Sequence, residues 1–186
     1  MSENIRSFLA IELKPELKTE IKQIIKEFKK IDTDIKYVST ENLHLTLKFF
    51  GNINTKKLDQ IKLSTQKIIE NFQPFKIEIQ GIGTFPNKNH IKVIWIGIKD
   101  NKKLSQLQKE LDKEYNKLGF KKERDYKSHL TIGRMKTAKN KNKVQKIIKE
   151  NENIPIGEMT INKIYLKKST LTPNGPIYEN LIEFSL

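Results

Sequence analysis

The sequence predicts an α+β fold of two pseudo-symmetric lobes, each an antiparallel sheet with helices on its outer face, around a central cleft. Three observations carry this. Segments that alternate with period two, such as Phe75-Lys76-Ile77-Glu78-Ile79-Gln80, are interspersed with segments of helical period, such as Leu17, Ile21, Ile24, Ile25 and Phe28. The strand-like stretch Asn42-Leu43-His44-Leu45-Thr46-Leu47-Lys48-Phe49-Phe50-Gly51 has a near copy of its centre at Ser128-His129-Leu130-Thr131-Ile132-Gly133-Arg134. The chain has 186 residues and no long linker or low-complexity tract, which suits one compact unit. The expected organisation is therefore a single bilobal domain over residues 1–186, with motif strands at 43–50 and 128–134 as the trace of an internal duplication.

Taken in order, Ile5 to Leu13 is a buried strand. Pro15 opens a helix to about Lys30, since its fixed φ and missing N–H suit a first turn. A short strand at residues 35–38 leads to the first motif, and a second helix covers about 55–72 before Pro74. Strands follow at 75–82 and 93–98, with the glycine- and proline-containing stretch 83–90 as a connecting loop. A third helix runs from about Lys102 to Leu118 and stops at Gly119. After the second motif comes a helix within 143–151, one long strand from Pro155 to Ser169, and a last strand from Ile177 to Leu186.

The 36 Lys and Arg residues against 22 Asp and Glu give a net charge of +14, which favours a polyanionic partner. Abundant Lys, Ile and Asn have a second reading as codon bias. There is no cysteine, so disulfides and thiolate catalysis are excluded and a cytoplasmic setting is expected. The chain opens with nothing like a signal peptide, no apolar run is long enough to span a membrane, and nothing demands more than a monomer.

The chemistry concentrates in the repeated motif, which holds two of the three histidines. A strand has period two, so His44, Thr46 and Lys48 are expected on one face, and His129 and Thr131 repeat the arrangement. Imidazole changes charge near pH ~6.5, so one ring can take a proton while the other gives one. Two histidines facing each other across a cleft suit in-line displacement at phosphorus, with the threonine hydroxyls donating to the non-bridging oxygens. Lys48, Arg6, Lys127 and Arg134 are candidates to add positive charge. Neither motif carries a cysteine or an acidic residue, so no metal site and no cofactor are expected. The motifs are nearly identical, and the residues alone do not say which histidine is acid and which is base. The competing reading is a basic RNA-binding module that holds RNA ends without turnover. His90 reads as a loop residue and Trp95 as core.

The pair His44-Leu45-Thr46-Leu47 and His129-Leu130-Thr131-Ile132 resembles the two signatures of the 2H phosphoesterase superfamily, in particular its RNA 2′,3′-cyclic phosphodiesterases, also called 2′-5′ RNA ligases. Arg6-Ser7-Phe8-Leu9-Ala10-Ile11 is similar to that branch's opening strand, and the stretches 42–51 and 126–134 to its two motifs. The resemblance covers essentially the whole chain. It implies hydrolysis of RNA 2′,3′-cyclic phosphate ends, tRNA halves among them, to 2′-phosphates, with His44 as proton donor and His129 as proton acceptor. It implies also a basic cleft between two lobes and a 2′-5′ ligation without ATP as a secondary activity. Tyr126 is a candidate wall for stacking a base. Two positions depart from the pattern: Tyr37 where tryptophan is usual, and Ser128 where proline is common.

Overall fold

The computed structural model describes residues 4–99 and 101–186. In chain order the elements are β1 (Ile5–Glu12), α1 (Pro15–Lys29), β2 (Ile35–Tyr37), β3 (His44–Ile53), α2 (Thr55–Ile69), β4 (Phe75–Asn87), β5 (His90–Ile98), α3 (Lys102–Lys117), β6 (His129–Met135), α4 (Lys141–Glu150), β7 (Pro155–Ile161), β8 (Lys163–Thr172) and β9 (Gly175–Ser185). The architecture is α+β. The strands form one antiparallel sheet in the order β7-β4-β5-β6-β3-β1-β8-β9, with β2 beside β6.

The sheet divides naturally at its middle. Lobe one is β3, β1, β8 and β9; lobe two is β7, β4, β5 and β6. Among the described residues β3 and β6 are paired only at Leu45 and Leu130. Beyond that pair β2 takes over the edge of β6, with Tyr37 opposite Gly133, and the lobes part. Helices cover the outer faces for the reason the apolar stripes predict. Leu17, Ile21, Ile25 and Phe28 of α1 and Val144 and Ile148 of α4 are buried on the lobe-two side. Ile61 and Ile69 of α2 and Leu104, Leu107, Leu111 and Tyr115 of α3 are buried on lobe one. Phe50 of β3 meets Tyr115 edge-on at 4.9 Å, which anchors the first motif strand to α3.

The lobes share a register. Glu12, Ile11 and Ala10 oppose His44, Leu45 and Thr46, as Gly97, Ile96 and Trp95 oppose His129, Leu130 and Thr131. In both ladders the next residue of the motif strand, Leu47 or Ile132, is then passed over as a bulge. A bulge adds one residue to one strand and reverses the faces of everything after it. Here lies the main correction to the sequence reading. Lys48 does not share the face of His44; it is buried at 4% exposure on the helix side, and Phe49 turns to the cleft in its place. The same reversal in β6 buries Gly133 and brings Arg134 to the cleft.

Two further segments differ from expectation. The stretch 83–90 is mostly strand: β4 continues to Asn87 and turns at Lys88 and Asn89 into β5. Gly83 is there for space and not for a turn, since a Cβ on it would lie 2.3 Å from two ring carbons of Trp95. The long strand expected from Pro155 breaks at Asn162 into β7 and β8, which belong to opposite lobes. Among the described residues no helix is long and apolar enough to cross a membrane.

Candidate active site

The two motif strands approach each other antiparallel at Leu45 and Leu130. In such a register His44 faces Thr131 and His129 faces Thr46, so each histidine stands beside the threonine of the other motif. A regular ladder puts such diagonal histidines roughly 7–8 Å apart, enough to hold a phosphate between them. All four side chains line one cleft of about 670 Å³.

Each imidazole is oriented in the same way. Nδ1 of His44 lies 2.7 Å from the carbonyl oxygen of Asn42, and Nδ1 of His129 lies 2.7 Å from that of Lys127. A carbonyl can only accept, so both rings carry their proton on Nδ1 and keep Nε2 as the acceptor when neutral. His44 packs against Phe8 at 4.8 Å and edge-on to Tyr178 at 5.3 Å. His129 packs edge-on to Phe85 at 4.9 Å, with Trp95 at 6.4 Å. This aromatic burial disfavours the charged ring and holds both histidines below the usual imidazole range. The backbone acceptors pull the other way in both cases.

The lobes differ in charge. At His44 the Lys167 ammonium disfavours the imidazolium more than Glu12, opposite His44 across β1 and β3, favours it, and Lys18 adds to the disfavour. Gly97 occupies the matching place beside His129, whose charged influences are Arg134 and Lys127, both disfavouring the imidazolium. The cleft lining contains three cations, Arg6, Lys36 and Arg134, and no carboxylate. Such a lining attracts anions and offers a divalent metal poor ligands. No group of three or more metal-ligating side chains occurs among the described residues.

Of the residues singled out from sequence, the structure therefore brings together His44, Thr46, His129, Thr131, Arg6 and Arg134. Three are elsewhere. Lys48 reaches Asp112 Oδ1 at 2.6 Å and Glu123 Oε1 at 3.4 Å beneath the sheet. Tyr126 is not a stacking wall of this cleft: its hydroxyl donates to the Thr46 carbonyl at 2.9 Å, tying the segment before the second motif to the first. The Lys127 ammonium lies 4.5 Å over the Trp95 ring, outside the cleft, and its contribution to the site is the carbonyl that orients His129. Trp95 is not core; it lies across Gly83, on the side of the sheet that carries His129. His90 is exposed at the start of β5 and lies outside the cleft lining. Sequence reasoning missed Lys36, Phe49 and Tyr178. Lys36 and Tyr178 carry no local signal. Phe49 has one only to a reader who knows where the bulge falls.

Comparison with known proteins places the family and the fold. Residues 15–171 match the 2′-5′ RNA ligase superfamily. The chain is 41% identical over 182 residues to an RNA 2′,3′-cyclic phosphodiesterase of Methanothermobacter thermautotrophicus, covering 98% of this chain and 99% of the relative. It is 46% identical over 180 residues to a protein of that name from Methanocaldococcus jannaschii, covering 97% and 100%. Among solved structures, a Thermus thermophilus protein superposes with a TM-score of 0.81 at 23% identity, covering 98% of each chain. Escherichia coli LigT in complex with 3′-AMP superposes with a TM-score of 0.78 at 24% identity, covering 99% of each chain. At that identity the two structures speak to the fold.

Proposed function

The chain belongs to the 2′-5′ RNA ligase superfamily and is a cyclic phosphodiesterase, and from this we infer that it opens 2′,3′-cyclic phosphates at RNA ends to 2′-phosphates by a two-histidine acid–base reaction. The observation that carries the reading is the matched pair of imidazoles, each fixed through Nδ1, on one cation-lined cleft without a carboxylate.

The steps balance without a cofactor. Water attacks phosphorus from the side of His129, whose Nε2 takes the proton. The P–O3′ bond breaks on the opposite side, and His44 gives its proton to the departing O3′. One water is consumed, the product is a 2′-phosphate with a free 3′-hydroxyl, and proton exchange with solvent resets both rings. Thr46 and Thr131 donate to the non-bridging oxygens as charge gathers there, and Arg6, Lys36 and Arg134 hold the anion. The assignment of His44 as acid and His129 as base follows the family resemblance; neighbouring charge does not set it, since Lys167 outweighs Glu12 at His44 and Arg134 and Lys127 disfavour the imidazolium at His129. A 5′-hydroxyl in place of water would join two RNA ends through a 2′-5′ linkage by the same steps.

The test is product analysis. EDTA-treated protein given a short RNA with a 2′,3′-cyclic phosphate end is expected to release only the 2′-phosphate, read by phosphorus NMR. A 3′-phosphate product would reverse the leaving oxygen, and arrest by EDTA would reject the metal-free chemistry.

The pH dependence is also fixed in sign. The base must be neutral and the acid protonated, so kcat/KM is bell-shaped, rising through one imidazole titration and falling through the other. Since both rings are held below the ordinary value of about 6.5, the maximum for the free enzyme is expected on the acid side of that value. Bound substrate adds a negative charge that favours imidazolium, so the kcat maximum should lie at higher pH than that of kcat/KM. Initial rates across pH check both limbs.

A further inference from the structure

The carbonyl that orients His44 belongs to Asn42, and the reaction as inferred leaves the side chain of Asn42 without a task. Asn42 closes a single 3₁₀ turn, Thr40–Asn42, and its main-chain N–H donates to the Ser39 carbonyl at 3.0 Å. Two other elements hold the turn from outside. Lys18 of α1 donates through Nζ to the Glu41 carbonyl at 3.1 Å. The Asn42 amide donates through Nδ2 to the Pro176 carbonyl of β9 at 2.8 Å, joining residues 134 apart in the chain. The lysine bond is made at the surface by a long side chain that loses much rotamer freedom. The amide bond is partly buried and short-armed, and it is the stronger anchor.

β9 therefore reaches His44 in two ways. Two residues after Pro176, the Tyr178 ring packs edge-on against the imidazole. The Asn42 bond ties the orienting carbonyl to that same strand. Lobe two repeats the plan with different chemistry. Lys127 supplies the carbonyl for His129, and its ammonium lies over Trp95 of β5, an aromatic that itself flanks His129. In each lobe the residue two before the histidine orients the ring through its main chain. Its side chain holds it to the strand that carries a flanking aromatic.

A neutral imidazole can carry its proton on either nitrogen, and its hydrogen-bond partner decides which. A carbonyl that drifts from Nδ1 frees the ring to turn or to take the other tautomer. Nε2 is then no longer presented to the reacting oxygens.

We propose that Asn42 is a positioning residue for His44: its amide, anchored on β9, holds in place the carbonyl that fixes the tautomer and direction of the ring. It acts through His44 and not on the phosphate, although it borders the cleft. This rests on the two-histidine function inferred above and assigns a part in it to a residue outside the repeated tetrapeptide.

The experiment uses Asn42→Ala and Asn42→Asp, which both remove the amide donor, the second while keeping the shape. Nitrogen-15 signals of the histidine rings are recorded on the free protein above the imidazole titration range, where both rings are neutral. Wild type is expected to show the Nδ1–H tautomer at His44 and at His129. Both variants should lose that signature at His44 and keep it at His129. Their kcat on an RNA ending in 2′,3′-cyclic phosphate should fall on the order of 10-fold, with KM nearly unchanged. An unaltered His44 tautomer in both variants would overturn the proposal. So would a rate loss carried by KM alone, which direct contact with substrate predicts. Loss of the signature at both histidines would overturn it too, since that marks a general loosening. A wild type that opens no cyclic phosphate would remove the inferred function, while the ring signals would still show whether Asn42 sets the tautomer.

Discussion

His129→Ala is expected to slow opening of the cyclic phosphate about 10²–10⁴-fold, with affinity for the RNA end changed far less. The ring contributes proton transfer, whereas Arg6, Lys36 and Arg134 supply the attraction for the anion. His44→Ala should lose a similar factor, and a second substrate separates the two roles. With sulfur at the 3′ bridging position, the leaving group departs as a thiolate and needs no proton. His44→Ala is then expected to recover most of its lost rate, and His129→Ala none. Equal recovery by both variants would remove the acid–base assignment. A variant that kept more than a tenth of wild-type turnover on the oxygen substrate would remove that histidine from the mechanism altogether. Losses in the double variant should fall well short of the product of the single losses, since the two rings act on one transition state.

Asp112→Ala is expected to cost about 3–5 kcal/mol of folding stability, the largest effect anticipated away from the histidines. Lys48 and Asp112 are both nearly sealed from solvent, at 3% and 4% side-chain exposure, and 2.6 Å apart. The same carboxylate accepts the backbone N–H of Glu123 at 3.0 Å, and the ammonium also meets the Lys121 carbonyl. The pair therefore clamps three things together: the first motif strand, α3, and the segment that leads to the second motif. Removing the carboxylate leaves a buried ammonium with only the Lys121 carbonyl and the half-exposed Glu123 for company. Lys48→Met should be similarly costly because it strands Asp112. The double change Lys48→Met with Asp112→Leu should regain most of the loss, because an apolar pair of similar volume carries no desolvation penalty. Denaturant midpoints for the four proteins, at unchanged slope, give the coupling directly. A cost below about 1 kcal/mol for Asp112→Ala would show the pair behaving as a surface ion pair.

Lys48 marks the point where sequence reading stops. The motif strands, the four helices and their buried stripes can be read locally, because period and punctuation are properties of one segment. His44, Thr46, His129 and Thr131 can be placed on one face because they precede the bulge in each motif. The bulge itself depends on how β3 meets β1 and how β6 meets β5, and no local pattern announces it. Period two alone therefore puts Lys48 in the cleft and Phe49 in the core, and each is in the other's place. Trp95 reads as core because its neighbours are apolar. Its true position is set by the absence of a side chain at Gly83, its cross-strand partner. The break at Asn162 is hidden for a related reason: β7 and β8 are both good strands, and only their partners show that they belong to different lobes.

That crossing at Asn162 bears on how the molecule is made. Lobe one takes β1 and β3 from before the first lobe-two strand and completes itself with β8 and β9, which are synthesised after both motifs. Tyr178, which braces His44, and Lys167, which neutralises Glu12, arrive in those two late strands. Both histidines are thus synthesised before Ser169, Leu171, Thr172 and Tyr178, which the β8–β9 hairpin adds to the cleft. Seating of the β8–β9 hairpin is therefore the step that completes the lining of the cleft.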